Sequence, residues 1–335
     1  MTTECELPAP DIEVLVNEAF SLIRGRRFGE ARDTVERIEE LDRADPFGAH
    51  ARIHLHIDEG TFEEGIERGI AYLTASDPFD GINVHNTMHL ASLLMELGRA
   101  AASIEWQERV MVPSAPGQPM SYPGAVNLLW QTEVFGYGRS SGRALPWRTL
   151  APTIPIDPNH AADVSEMIVR VMPLVALSDE AGIHALLASL ADADEPAQGV
   201  LSGERAAAVH SVTEGLRAWW HGDAHLAAKH LGEALPVLSR FTDYQGQFAV
   251  IEDTLIDAEW LSGARVHSER ILRDRVGAYA SPRPRDQFWL GRILASTGRA
   301  TEGGDFLESA RLRWVGADDN SPELRTLESV TASGC

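Results

Sequence analysis

A turn motif that recurs at nearly constant spacing constrains the fold of this chain more than any other feature. In each copy a glycine ends one amphipathic segment and a second, often alanine-rich segment begins within a few residues. The glycines of the six copies are Gly25, Gly60, Gly98, Gly222, Gly263 and Gly298. Within each half of the chain, neighbouring copies are about 35 to 41 residues apart, a period typical of helical-hairpin repeats. The pattern predicts an all-α solenoid of stacked helical hairpins.

The residues at the turns give a physical reason for this prediction. Small residues let two antiparallel helices approach closely, and glycine adopts the left-handed turn between them. One hairpin cannot cover its own apolar face, so neighbours stack and their first helices lie side by side on an inner surface. The Asp-Pro-Phe sequences at Asp45 and Asp77 mark equivalent junctions between hairpins. We therefore expect a tetratricopeptide-like α-solenoid with a polar inner pocket.

Prolines and glycines interrupt the array in its middle, at residues 111–123 and 136–158. We predict a single α-solenoid over residues 1–335, in which N-terminal hairpins at 9–110 carry two histidine pairs. A loop-rich insert at 111–160 would surround a helix at 123–136, and C-terminal hairpins with a cap would occupy 161–335. Long loops in a tight repeat are often functional, and these two could cover the inner groove.

Charge and terminal sequences limit the partners and the location of the protein. Fifty acidic and 29 basic residues give a net charge of -21, which repels phosphate backbones, so nucleic acid is not an expected partner. The N-terminus lacks the pattern of a signal peptide and no run of about eighteen apolar residues occurs, so we expect a cytoplasmic protein without membrane contact. The two cysteines, Cys5 and Cys335, stand at opposite ends and indicate neither a disulfide framework nor a zinc site.

Two pairs of histidines occupy helix positions that normally carry core residues. His50 and His54 lie one helical turn apart, in one stripe with apolar residues on either side. His85 and His89 repeat the arrangement one hairpin later, with Asn86 beside them. Both segments are first helices of successive hairpins, so we predict that the pairs face one shared pocket.

The next first helix adds Trp130 and Glu133, one turn apart. A carboxylate beside neutral imidazoles, in a groove lined by Phe47 and Trp130, would serve as a general base or would clamp an ammonium group. The predicted catalytic residues are His54, His85, His89 and Glu133. The predicted substrate-binding residues are Asp45, His50, Arg52, Asn86 and Trp130. Asp45 has a simpler alternative role as a helix cap.

The histidine pairs have two alternative interpretations. Histidines at positions i and i+4 can bind a metal ion, but Ala51 and Asn86 stand where an H-E-x-x-H motif would have glutamate. Asp58 and Glu96 are conceivable third ligands, yet both lie near turn glycines, where solvated carboxylates are common. We therefore predict no metal and no organic cofactor. The other alternative is a structural cluster, at a cost of roughly 1–3 kcal/mol for each unsatisfied buried group.

Around these residues the sequence resembles the tetratricopeptide repeat protein 38 family, as a divergent member of actinobacterial type. The segments that carry the resemblance are His50-Ala51-Arg52-Ile53-His54-Leu55-His56, His85-Asn86-Thr87-Met88-His89 and Leu128-Leu129-Trp130. The resemblance implies a helical solenoid with a histidine-lined inner pocket. Family members carry an acidic residue where Gly124 stands, which implies a different ligand for this chain. The richness in alanine, arginine and leucine is similar to that of actinobacterial proteins, some of which tailor natural products.

These features lead to one predicted function and one alternative. We predict a small-molecule enzyme of specialised metabolism, a metal-free cyclase or lyase that uses general acid and base groups to close a ring or eliminate an anionic leaving group. An amine-bearing substrate would suit the carboxylate. The alternative is a non-catalytic scaffold that binds a peptide or a partner protein. A closed pocket would favour the enzyme, whereas an open apolar groove would favour the scaffold.

Overall fold

The computed structural model describes residues 11–115, 121–151, 164–192, 201–240, 245–278 and 281–333. Over these ranges the protein contains helices and turns but no strand. Among the same residues, no helix is both long and apolar enough to cross a membrane. Both cysteines, and the parts of the predicted groove-covering loops at residues 116–120 and 152–163, lie outside the described residues.

Three hairpins form the N-terminal part of the solenoid. They pair α1 (Ile12–Arg24) with α2 (Phe28–Leu41), α3 (Pro46–Glu59) with α4 (Phe62–Ala75), and α5 (Gly81–Glu96) with α6 (Ala100–Trp106). A π-helical turn at Gln107–Met111 continues α6 into the short α7 (Val112–Ser114). The next inner helix is α8 (Tyr122–Val134), which corresponds to the helix predicted at 123–136, and the short α9 (Trp147–Leu150) follows it.

Four more hairpins and a last helix complete the described chain. The pairs are α10 (Val164–Ala176) with α11 (Glu180–Asp192), α12 (Leu201–Trp220) with α13 (Ala224–Leu238), α14 (Gln245–Ser262) with α15 (Ser268–Ala278), and α16 (Pro284–Ser296) with α17 (Ala300–Arg313). Helix α18 (Pro322–Ser333) follows the last pair. The predicted fold class, an all-α tetratricopeptide-like array of stacked hairpins, is confirmed.

Glycine forms the left-handed turn in five of the six predicted copies. The φ angles are 82° at Gly60, 71° at Gly98, 84° at Gly222, 80° at Gly263 and 86° at Gly298. The first turn differs, because Gly25 has a φ of -77° and Arg26 takes the left-handed conformation instead, at 57°. The turn lies where the sequence predicts it, but its left-handed residue is shifted by one.

First helices of successive hairpins lie side by side, as the repeat order predicts. Helix α3 packs against α1 and α5, and α5 also packs against α8. The approach of α8 to α5 is very close, since a Cβ added at Gly124 would lie 1.7 Å from Met88 Sδ. The acidic residue that the resembling family carries at this position would therefore not fit this crossing without repacking.

Helix α8 is central because it contacts α5, α10 and α14. Trp130 is fully buried, and its Nε1 donates to Thr254 Oγ1 of α14 at 3.0 Å. Beside it, Gln131 Nε2 donates to Asp253 Oδ2 at 3.0 Å. Side chains thus fill the interior between α8 and α14 at this level.

The C-terminal hairpins pack back onto the N-terminal ones. Trp314 Nε1 donates to the carbonyl oxygen of Glu96 at 2.9 Å. Arg285 is buried, forms an ion pair with Glu323, and donates from Nη2 to the carbonyl of Met95 at 2.8 Å. These contacts hold the C-terminal end of α5, one of the two helices that carry the histidines, against the C-terminal hairpins.

Candidate functional site

The four histidines of α3 and α5 form one cluster. Their ring centroids lie 4.7 Å apart for His50 and His54, 4.9 Å for His50 and His85, 4.4 Å for His54 and His89, and 4.6 Å for His85 and His89. All four side chains are partly exposed. The two i, i+4 pairs therefore face each other across the contact between α3 and α5, which the sequence predicts from helical periodicity and repeat order.

Three of the imidazoles point the same nitrogen at one small volume. The distance from His50 Nε2 to His89 Nε2 is 3.2 Å, and that from His89 Nε2 to His85 Nε2 is 3.0 Å. One ring nitrogen from each of these three residues lies within 4.8 Å of the other two. No carboxylate belongs to this group among the described residues.

Hydrogen bonding cannot satisfy this arrangement fully. A neutral imidazole nitrogen carries either one proton or one lone pair, so His89 Nε2 forms a good hydrogen bond with at most one of its two neighbours. In addition, His85 Nδ1 is buried without a hydrogen-bond partner among the described residues. The cluster therefore carries a cost of the kind expected for unsatisfied buried polar groups, about 1–3 kcal/mol.

Burial keeps these imidazoles neutral. It lowers the pKa of His50 to about 3 and that of His54 to about 4, with a further contribution from neighbouring histidines. Burial also lowers the pKa of His85, and it lowers that of His89 well below the usual value. Near neutral pH the cluster therefore presents nitrogen lone pairs rather than positive charges.

Phe20 of α1 is a neighbour that the sequence did not reveal. Its ring centroid lies 5.2 Å from that of His50 and 5.3 Å from that of His54. The only available signal was its place in the apolar stripe of α1, which does not distinguish it from other core residues. Phe20 gives the cluster an apolar wall and contributes to its low polarity.

Three other predicted residues lie on α3 or α5 but make structural contacts. Asp45 caps α3, because its Oδ1 accepts from Gly48 N at 2.6 Å, as its alternative role predicts. Asn86 is fully buried and donates from Nδ2 to the carbonyl of Pro46 at 3.0 Å, which ties α5 to the start of α3. Arg52 is buried and forms an ion pair with Glu39 of α2.

Glu133 and Trp130 are not brought to the histidines. Glu133 is buried, and its carboxylate accepts from the backbone N–H of Arg139 at 2.6 Å and from Trp147 Nε1 at 3.1 Å. Helix α8 is rotated so that this face meets the following loop and α14 rather than α5. The predicted convergence of three helices is thus replaced by a two-helix site. Phe47, predicted to line the groove, is 51% exposed.

The two carboxylates considered as third metal ligands also have other neighbours. Glu96 Oε1 accepts from Arg285 N at 2.9 Å, and burial raises the pKa of its carboxyl group. Burial likewise raises the pKa of Asp58, and the charges of Arg283 and Arg26 offset part of this rise. The third nitrogen ligand in reach of a histidine pair comes from the facing helix, which no motif within one helix could reveal.

A separate cleft of about 360 Å³ lies between α13 and α14. It is lined in part by His225, Lys229 and His267. The buried carboxylate of Glu259 also lines the cleft, but it already accepts hydrogen bonds from the backbone at the start of α15. Its oxygens accept from Ser268 N at 2.9 Å and from His267 N at 3.0 Å. The carboxylate of this cleft is therefore less available to a ligand than the nitrogens of the histidine cluster.

Comparisons with known proteins report on the fold only weakly. The chain matches no protein-family model and no curated protein. Among solved structures it is similar to a tetratricopeptide repeat protein from Parabacteroides merdae, with 12% sequence identity and a TM-score of 0.35 over 95% of this chain and 97% of that one. The helical-repeat description of this chain therefore stands on its own helices and turns.

Proposed function

We propose that this protein is an enzyme that acts on a small polar molecule at the four-histidine cluster, where it closes a ring or eliminates an anionic leaving group. The resemblance to the tetratricopeptide repeat protein 38 family and the assignment to specialised metabolism belong to the same proposal. The imidazole nitrogens of His50, His54, His85 and His89 are its reactive groups. The proposal holds whether they act on the substrate directly or through a bound ion.

The observation that supports it most is the crowding around His89 Nε2, which faces two other Nε2 atoms at 3.0 and 3.2 Å. Packing alone does not require such an arrangement, because apolar side chains of similar volume would fill the space without unsatisfied nitrogens. A ligand that engages the nitrogens would remove the cost. The partial exposure of all four side chains gives such a ligand access.

The chemistry follows from the neutral state of the rings. An anionic substrate or leaving group placed among them favours their protonated form and so draws in a proton. Imidazoles in this setting can accept a proton from the substrate and return one to the leaving group. Glu133 has no part in this version of the proposal, because Arg139 and Trp147 engage its carboxylate.

The alternative of a peptide-binding scaffold has less support. It needs an open apolar groove along the first helices. Trp130 is fully buried and hydrogen-bonded to Thr254, so at α8 the space along these helices is filled.

The test is ligand binding coupled to proton uptake. The protein would be screened by thermal shift, with a chelator and separately with added Zn²⁺, against small carboxylates, sulfate and phosphate esters, and amines. Hits would be titrated by calorimetry in buffers of different ionisation enthalpy, and analogues of the hits would be screened for turnover. We expect an anionic ligand to bind to the chelator-treated protein with net proton uptake, and the variant His54→Gln/His85→Gln to lose that binding.

The matched control is His184→Gln/His221→Gln, which removes two exposed imidazoles outside the cluster. It should bind the ligand as the wild type does. If no member of the panel stabilises the wild type while the cluster variant folds normally, the catalytic proposal is wrong. The scaffold would then become the better explanation.

A further inference from the structure

We infer that His50, His85 and His89 form a binding site for a divalent first-row transition metal such as Zn²⁺. Only a catalytic role of the metal would rest on the proposed function. Metal binding itself can be measured without any substrate. It departs from the metal-free site predicted by the sequence, where a third ligand was sought on the same helix as each histidine pair.

The positions of the three nitrogens match what a metal ion requires. Zinc–nitrogen bonds are roughly 2.0–2.1 Å long, so nitrogens at tetrahedral or octahedral angles around one ion lie roughly 2.9–3.4 Å apart. His89 Nε2 lies 3.2 Å from His50 Nε2 and 3.0 Å from His85 Nε2. Both separations fall within this range, and the ligand nitrogens of His50 and His85 lie within 4.8 Å of each other.

A cation also resolves the hydrogen-bonding conflict at the cluster. Without one, His89 Nε2 cannot pair well with both of its neighbours. With one, all three Nε2 atoms direct lone pairs at the same positive centre and each ring carries its proton on Nδ1. The arrangement that is costly for hydrogen bonding is thus the one that favours metal coordination.

The ligands are held on rigid elements, as a preorganised site requires. His85 and His89 belong to one helix and His50 to the other, and Asn86 links these helices through its bond to the carbonyl of Pro46. The cap of α3 at Asp45 fixes the start of the helix one turn before His50. Folding therefore sets the distances between the nitrogens before any ion binds.

The composition of the site indicates its class. Three nitrogen ligands leave at least one coordination position for water or substrate, which is typical of catalytic rather than structural zinc. With no carboxylate among the ligands, the bound ion keeps its full charge and would attract an anionic oxygen. The partnerless Nδ1 of His85 lacks the acceptor that usually strengthens such a ligand. We therefore expect an affinity in the micromolar range, below that of structural zinc sites.

The experiment uses the full chain without a polyhistidine tag, in a Cys5→Ser/Cys335→Ser background that removes both thiols. The protein would be stripped with a chelator and titrated with Co²⁺, whose visible absorption reports nitrogen and oxygen coordination, and Zn²⁺ would then be added in competition. We expect one equivalent of Co²⁺ per chain, displaced by Zn²⁺. The variants His89→Gln and His50→Gln should each weaken binding by at least about 100-fold.

Two controls make the result decisive. His184→Gln/His221→Gln should keep wild-type binding, whereas loss of binding in that variant alone would assign the ion to surface histidines and overturn the inference. Circular dichroism and urea unfolding of metal-free His89→Gln check its fold, and we expect it to be at least as stable as the wild type because the crowded nitrogen is gone. Absence of a Co²⁺ spectrum in the folded wild type would also overturn the inference, with the ligand screen of the proposed function left unaffected.

Discussion

The buried carboxyl group of Asp257 should make this protein less stable as the pH rises. Asp257 lies on α14, where its Oδ2 accepts from Trp219 Nε1 at 2.8 Å. Burial raises its pKa from 3.8 to about 6, although Trp219 and the guanidinium of Arg292 both favour the charged form. Arg292 stacks on the ring of Trp260, 3.9 Å from the centroid, and its charge does not overcome the effect of burial on the pKa of Asp257.

The sign and size of the effect follow from proton linkage. Between pH 3.8 and about 6 the native state binds more protons at this group than the unfolded state, so stability falls as the pH rises through this range. A shift of about two pKa units corresponds to about 3 kcal/mol, which is fully lost above the native pKa. The value is an upper limit, because the side chain is partly exposed.

The perturbation is Asp257→Asn, which removes the charge and keeps an oxygen that can accept from Trp219. We expect the variant to be more stable than the wild type by up to about 3 kcal/mol at pH 8, by about half of that at pH 5, and to be equal to it below about pH 3. Urea unfolding followed by tryptophan fluorescence would measure this. Asp305→Asn, at an exposed aspartate of α17, is the matched control and should have no pH-dependent effect. A gain that does not change with pH, or a loss at pH 8, would refute the reasoning.

Three further substitutions test other parts of the description. Glu133→Gln should cost about 1–3 kcal/mol of stability in equilibrium unfolding, because it weakens the contacts that hold the loop after α8. The Co²⁺ titration should show unchanged metal binding in this variant. Gly124→Ala should destabilise the protein by about 1–3 kcal/mol through its clash with Met88 Sδ, and thermal unfolding should show partial recovery when Met88→Ala is added. Arg285→Met should cost about 3–5 kcal/mol, because it leaves the carboxylate of Glu323 buried without its ion-pair partner; limited proteolysis should then release α18 first.

Local sequence was sufficient for most of the fold, because six of the seven hairpins in the described residues carry the turn motif. Each such turn requires one residue in the left-handed backbone conformation, which glycine adopts most easily. Five of the six predicted glycines adopt this conformation. Repeat order then predicts which helices are neighbours without any knowledge of their packing angles. The same reasoning predicts that His50 and His54 lie near His85 and His89, and in the structure the two faces are turned toward each other.

Periodicity was not sufficient to predict where the side chains of Glu133 and Trp130 lie. It shows which residues share a face of the helix, but not the neighbour toward which that face is turned. The rotation of α8 depends on the close crossing of Gly124 over Met88 and on partners far away in sequence, such as Thr254. Those contacts appear only when the chain is folded. The third nitrogen of the proposed metal site was missed for a related reason, since sequence motifs describe ligands within one helix and this ligand comes from the next.

The inner helices differ in what their polar groups contact. On helix α8, Trp130 and Glu133 both have hydrogen-bond partners within the protein. Helices α3 and α5 direct imidazoles at each other, and His89 Nε2 cannot satisfy both of its neighbours. A buried polar group that lacks a partner in the protein calls for an explanation, and a bound ion, water or ligand is one. The crowding of neutral histidines at 3.0–3.2 Å is therefore the observation on which the proposed ligand site at this interface rests.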